Sequence, residues 1–244
     1  MLTSINPSNN KVLKQYDEMT TEQSYEIISL AHHTFLEWKE TLFTHRSELM
    51  KKAAKVLRQN SEEYSVLMTM EMGKPIAQSR AEVEKCAWVC DYYAENAEKF
   101  LTDEIVKTEA SKSFVSYQPL GVVLAVMPWN FPFWQVFRFA APNLMAGNAG
   151  VLKHASNVTG CALAIEDVFR KAGFPENLFR TLLVSSKNVK PIIENENIKA
   201  VTLTGSVPAG KSVASLAGSL IKKTVLELGG SDPYLVLEDA DLEK

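Results

Sequence analysis

Apolar positions in the first hundred residues recur at helical spacing. Ile27, Ala31, Phe35 and Trp38 follow Thr20, which forms a T-x-x-Q capping box with Gln23. A second helix fits roughly 45–59, with Leu49, Ala53, Val56 and Leu57 on one face. Ser61 can cap a third, whose first turn holds Glu62 and Glu63, where negative charge is favoured, and Gly73 can close it. Pro75 suits the first turn of a fourth helix that runs to about Phe100. The pattern then changes over 101–119. Ser113-Phe114-Val115-Ser116-Tyr117 is short and β-prone after a polar stretch, and predicts an extended ribbon away from the main sheet. An intersubunit arm and a plain surface hairpin both satisfy that pattern.

From Gly121 onward, strands alternate with helices. Apolar runs predict strands at 122–127, 149–153, 180–184, 199–203 and 223–228. The intervening helices fall at about 133–146, 157–172, 187–195 and 207–218, with Asn157 capping one that Gly173-Phe174-Pro175 ends. Short apolar strands each followed by a helix imply a parallel sheet covered on both faces. The predicted class is α/β, a Rossmann-like parallel sheet preceded by a helical N-terminal segment. The expected division is 1–100 helical, 101–119 ribbon, 120–233 nucleotide-binding core, and 234–244 the start of a further domain. Ligands of such sheets bind at the carboxyl ends of the strands, so motifs just after a strand matter most.

Composition narrows the function classes. The 244-residue chain carries a net charge of −3 and no Lys/Arg block, which argues against nucleic acid or an acidic membrane as main partner. Residues 1–16 lack an apolar signal region, and no apolar run is long enough to span a bilayer. Three cysteines, Cys86, Cys90 and Cys161, suit a reducing cytoplasm better than a disulfide framework. Cys86 and Cys90 flank Trp88 at C-x-x-x-C spacing without a matched ligand pair, so no metal site is expected.

Four strand-end motifs carry candidate chemistry. Met127-Pro128-Trp129-Asn130-Phe131-Pro132 places an Asn amide where an oxyanion donor would sit, although a Pro-rich turn alone could account for it. Val151-Leu152-Lys153-His154-Ala155-Ser156 brings a lysine to a strand end, where it could bond ribose or phosphate oxygens or simply leave the core. Leu203-Thr204-Gly205-Ser206-Val207-Pro208-Ala209-Gly210 joins a strand to a helix whose N-terminus offers N–H groups to a pyrophosphate. It is neither a P-loop nor the common G-x-G-x-x-G fingerprint. Leu226-Glu227-Leu228-Gly229-Gly230 sets a carboxylate among apolar residues, where partial burial would raise its pKa toward a general base's range; pairing with a nearby Lys is the plainer reading.

In this order, PWNFP, VLKHAS, LTGS-x-x-x-G and LELGG resemble the first half of the aldehyde dehydrogenase superfamily, over essentially the whole chain. In that family a cysteine thiolate attacks the aldehyde, hydride passes to a nicotinamide, and a Glu-activated water releases the acid. The resemblance implies that Asn130 stabilises the oxyanion and Glu227 acts as base. It assigns Lys153 to the cofactor ribose, and Gly205, Ser206 and Gly210 to the pyrophosphate. Trp129 and Thr204 would help shape the nicotinamide side, and Met127, Pro128, Leu228 and Gly229 would also line the cofactor site. Family members commonly read K-P-x-E, whose Glu binds the ribose; here Ser156 stands in that place. A Glu would repel a 2′-phosphate by about 4 kcal/mol per close charge pair at moderate dielectric. NADP acceptance is therefore expected, with NAD as the other candidate.

Arg138 is the substrate clue. It lies two helical turns beyond Asn130, where members that oxidise neutral aldehydes carry an apolar or aromatic residue and succinate-semialdehyde dehydrogenases carry an Arg. A guanidinium fork matches a distal carboxylate; an acidic neighbour on the helix face is the plainer partner. Succinate semialdehyde is the implied small-molecule partner, and homo-oligomers are the family habit. The family cysteine lies a few dozen residues after ELGG, beyond Lys244, so the chain alone is expected to be inactive and to expose apolar surface. A non-catalytic nucleotide- or partner-binding module of the same descent is the alternative.

Overall fold

The computed structural model describes residues 1–241. It opens with an antiparallel hairpin, β1 (Leu2–Ile5) and β2 (Val12–Tyr16), that the sequence reading did not contain. Nearly all of β2 faces solvent, so no apolar alternation marks it. Asn10 takes φ 58° in the connecting turn, a conformation Asn tolerates.

Four helices follow: α1 (Thr21–Trp38), α2 (Phe43–Gln59), α3 (Ser61–Met72) and α4 (Ile76–Phe100). The Thr20–Gln23 capping box is present at α1, and Gly73 closes α3 at φ 80°. Two start signals read differently. Ser61 is the first residue of α3 rather than its cap, and Pro75 stands just before α4. Beyond α4, β3 (Glu104–Ile105) and β4 (Phe114–Val115) form a small exposed antiparallel ribbon.

The main sheet is built from β5 (Val122–Val126), β6 (Ala149–Lys153), β7 (Phe179–Thr181), β8 (Ile198–Gly205) and β9 (Lys223–Leu228). All pair in parallel, in the order β7-β6-β5-β8-β9. The helices between them are α5 (Trp134–Met145), α6 (Thr159–Ala172), α7 (Val189–Glu194) and α8 (Val207–Ser219). Asn157 falls within a short 3-10 turn, Ser156–Val158, and does not cap α6. From β5 the chain adds β6 and β7 on one side, then returns to add β8 and β9 on the other. The direction reverses between β5 and β8, and a crevice opens at their carboxyl ends.

Right-handed crossovers put α5 and α6 on one face and α7 and α8 on the other. The N-terminal helices back the first pair, α2 and α4 against α5, α2 and α3 against α6. Arg46 ties these layers together. Its buried guanidinium donates to the carbonyls of Met145 (3.1 Å), Trp38 (3.2 Å) and Lys39 (2.9 Å), which end α5 and α1. One continuous apolar core runs through both layers, with the Phe133, Phe137 and Phe169 rings in succession and Phe174 and Phe179 both against Phe169. The α5 face of β8 and β9 has no covering helix among the described residues. Thr202, Val225, Met127 and Phe139 line an open groove of about 470 Å³ there. Residues 229–241 hold no strand or helix, and Tyr234 and Leu235 are exposed. No helix among the described residues is long and apolar enough to cross a membrane.

Candidate active site

The turn after β5 carries Asn130 at an exposed tip, between exposed Trp129 and Phe131. Its base is fixed from β6 by His154, a buried imidazole. The Ala155 N–H donates to Nδ1 (2.9 Å), which leaves the proton on Nε2 to be donated to the Pro132 carbonyl (2.9 Å). Burial pushes the His154 pKa down to about 4, so the ring is neutral.

Across the crevice, β8 ends in Thr204-Gly205 and α8 begins. Ser206 caps that helix, its hydroxyl accepting from the Ala209 N–H (3.4 Å). Pro128, Trp129, Asn130, Thr204, Gly205, Ser206, Glu227, Leu228 and Gly229 line one cavity of about 480 Å³ together with Arg138. Arg138 donates to the Thr204 hydroxyl (3.2 Å) and stands 3.8 Å from the Glu227 carboxylate. The anionic neighbour expected of Arg138 is therefore the candidate base itself, reaching across from β9, not a residue on the same helix.

Lys153 occupies a second cavity, about 260 Å³, on the α7–α8 side of the same sheet edge, with Val126, Leu203, Lys187, Lys190 and Val213. The lysine is only 8% exposed, and burial pushes its pKa down. No carboxylate lies within ion-pair distance of it among the described residues. Val126 pairs with Leu203 across β5 and β8, and Thr204, the next residue, points to the opposite face. The two cavities thus flank one strand edge, with the Gly205-Ser206 turn between them.

Four of the expected site residues sit apart from the two cavities or less deeply than the sequence implied. Glu227 is not sunk among apolar side chains: its side chain is 57% exposed, because β9 is the sheet edge and its face is uncovered. Gly210 lines neither cavity. A Cβ there would lie 2.5 Å from Leu228 Cδ2, so the close approach it permits is that of α8 to β9. Ser156 also lines neither, and its carbonyl accepts from the Thr159 hydroxyl (2.9 Å) at the start of α6. Met127 is buried and faces the neighbouring groove.

The sequence reading missed Gln135, whose buried Oε1 has no hydrogen-bond partner and which lines both the Asn130 cavity and the groove. Its spacing of three from Arg138, one helix face, was the available signal. It also missed Lys187, in the short 3-10 turn Ser186–Asn188, and Lys190, in the first turn of α7, since so short a helical segment shows no clear periodicity. The three cysteines are buried and unpaired, with thiol pKa values raised by burial, which leaves them unreactive. No cluster of metal-ligating side chains occurs among the described residues.

Residues 1–244 match the aldehyde dehydrogenase family. A Synechocystis sp. protein named as a probable NADP(+) succinate-semialdehyde dehydrogenase is 55% identical over 243 residues, covering 100% of this chain and 54% of its own. A Mycobacterium tuberculosis NADP(+) succinate-semialdehyde dehydrogenase is 49% identical, over 99% of this chain and 54% of its own. The crystal structure of a Streptococcus pyogenes succinic semialdehyde dehydrogenase with NADP+ superposes at a TM-score of 0.94 and 36% identity, covering 100% of this chain and 54% of that one. The chain spans about half the length of the relatives it matches.

Proposed function

The chain belongs to the aldehyde dehydrogenase family, and from that premise we propose that it binds NADP+ across the β5–β8 crevice and carries the cofactor, oxyanion and base side of a succinate-semialdehyde oxidation. The observation that carries this reading is Lys153, a buried cation with no anionic partner among the described residues, in a cavity beside the exposed N-terminus of α8. An unpaired buried charge is costly, and a site that tolerates one is suited to an anionic or hydroxyl-rich ligand. The apolar walls from Val126, Leu203 and Val213 suit a flat base. The Gly205-Ser206 turn and α8 offer N–H groups and a positive dipole end to phosphates.

A bound nicotinamide nucleotide supplies the hydride acceptor. The chain's own groups do the rest of what this half can do. Asn130 donates to the aldehyde oxygen as it gains charge, a contribution worth about 3 kcal/mol for one such donor. Glu227 takes a proton from the attacking water, and its exposed position at the sheet edge leaves it able to swing toward either Arg138 or the reacting carbon. Arg138, whose guanidinium stands 3.8 Å from the Glu227 carboxylate, holds the far carboxylate of the substrate. The names of the Synechocystis and mycobacterial relatives support the semialdehyde and the NADP preference. We extend the reading to a cytoplasmic location, consistent with three free thiols, and to assembly with further copies through the exposed β3–β4 ribbon.

Titration calorimetry of the chain with NADP+ tests the reading. Saturable binding is expected, and a wild-type chain that shows none removes it.

A further inference from the structure

The turn that carries Asn130 is held from the helical layer by a buried ion pair. Glu82 of α4 and Lys74, which precedes α4, are both almost fully buried and bonded to each other. Glu82 Oε1 accepts from the N–H groups of Phe133 and Trp134, each at 2.9 Å. These belong to the first turn of α5 and have no acceptor within their own helix. Lys74 Nζ in turn sits 3.7 Å from the centre of the Phe131 ring. Phe131, Phe133 and Trp134 are thus gripped by one carboxylate–ammonium pair, and Pro132 by His154 from the opposite side.

We propose that Glu82, neutralised by Lys74, is the positioning residue that fixes where the Asn130 amide points. The proposal rests on the reading of Asn130 as the oxyanion donor. The carboxylate does not touch the crevice. It acts by filling the donor sites of the α5 N-terminus with an internal anion, so the turn ends in a fixed register. The same device recurs at α6, without a paired cation among the described residues: Glu71 accepts from Gly160 N–H (2.9 Å) and Cys161 N–H (2.8 Å). Of the longer helices that leave the sheet's carboxyl edge, α5 and α6 are therefore sealed from within, and α8 is capped only by its own Ser206.

Fluorine NMR of the chain labelled with 5-fluorotryptophan tests this. Of its four tryptophans, Trp129 and Trp134 lie on the held turn and Trp38 sits at the far end of α5, its indole donating to the Leu144 carbonyl. In E82A the Trp129 and Trp134 signals should shift and broaden while Trp38 stays in place. The double variant E82Q/K74M keeps an oxygen acceptor and removes both charges, and should restore both signals. E71A, which strips the matching cap from α6, should lower the melting temperature and leave Trp129 and Trp134 unmoved. Unmoved signals in E82A, or equal movement in E71A, would overturn the proposal. Should E82A fail to fold, the wild-type chain decides by amide exchange. Phe133 and Trp134 should exchange about ten- to a hundredfold more slowly than uncapped first-turn amides, and fast exchange would end the idea. Adding NADP+ separates the two claims: a Trp129 signal that ignores the nucleotide counts against the nucleotide site and leaves the Glu82 result standing.

Discussion

Replacing Lys153 by Met should make the ligand-free chain more stable and less able to bind nucleotide. Met keeps the length of the stem, so the apolar packing of the cavity wall is retained. What is lost is an ammonium that is 8% exposed and has no carboxylate partner among the described residues. The effective penalty of burying one such ion is several kcal/mol. Part of it is relieved here, since the 260 Å³ cavity admits water, and a gain of about 2 kcal/mol is the reasonable share. For a chain of this size that raises the melting temperature by about 4–8 °C. The lysine's pKa is lowered by burial, so the penalty is fully present below the folded-state pKa and is relieved as pH rises toward the unfolded value. The advantage of the variant should therefore shrink in alkaline buffer. Thermal melts with and without NADP+ read both effects. The wild type should gain about 2.7 kcal/mol at a ligand concentration a hundred times its Kd, and the variant little. A variant that melts below the wild type without ligand would show that Lys153 is a structural member, and the argument from its unpaired charge would fail.

Three further outcomes follow from other parts of the site. His154 has its pKa lowered from 6.5 to about 4 by burial, so the unfolded chain takes up a proton that the folded chain refuses. Stability should fall as pH drops below about 6.5, by about 3 kcal/mol once below 4, and His154→Gln should flatten that slope in acid melts; an unchanged slope would assign it to other groups. Ser156→Glu should weaken NADP+ more than NAD+ in parallel titrations, and equal affinities would place residue 156 away from the 2′-phosphate. Arg138→Leu should weaken binding of succinate, offered to the NADP+-loaded chain as a dicarboxylate probe, well beyond its effect on acetate; an equal effect on both acids would remove Arg138 from the substrate site.

Much of the sheet was legible because parallel strands buried on both faces leave continuous apolar runs, such as Val122–Val126 and Ala149–Lys153. Helices were marked by their periodicity and by local caps, Thr20 and Gly73 among them. The opening hairpin was not legible, because an exposed strand like Val12–Tyr16 needs no apolar alternation. The exposure of Glu227 was misjudged for a related reason. LELGG looks like a buried strand end, but burial depends on which strand is the edge, and strand order is a tertiary property. Glu82, Lys74 and His154 gave no sign for the same cause. They sit tens of residues from the turn they hold, and only folding brings them to it. The strand-end motifs were legible as chemistry because the fold always delivers such positions to one side of the sheet.

Crystals of the chain soaked with NADP+ would test the central claim most directly. The account predicts the adenosine half beside Lys153 and Val213, the phosphates at the Gly205-Ser206 turn, and the nicotinamide facing Asn130 and Glu227. A nucleotide seated elsewhere on the molecule, with Lys153 still unpaired, would contradict it.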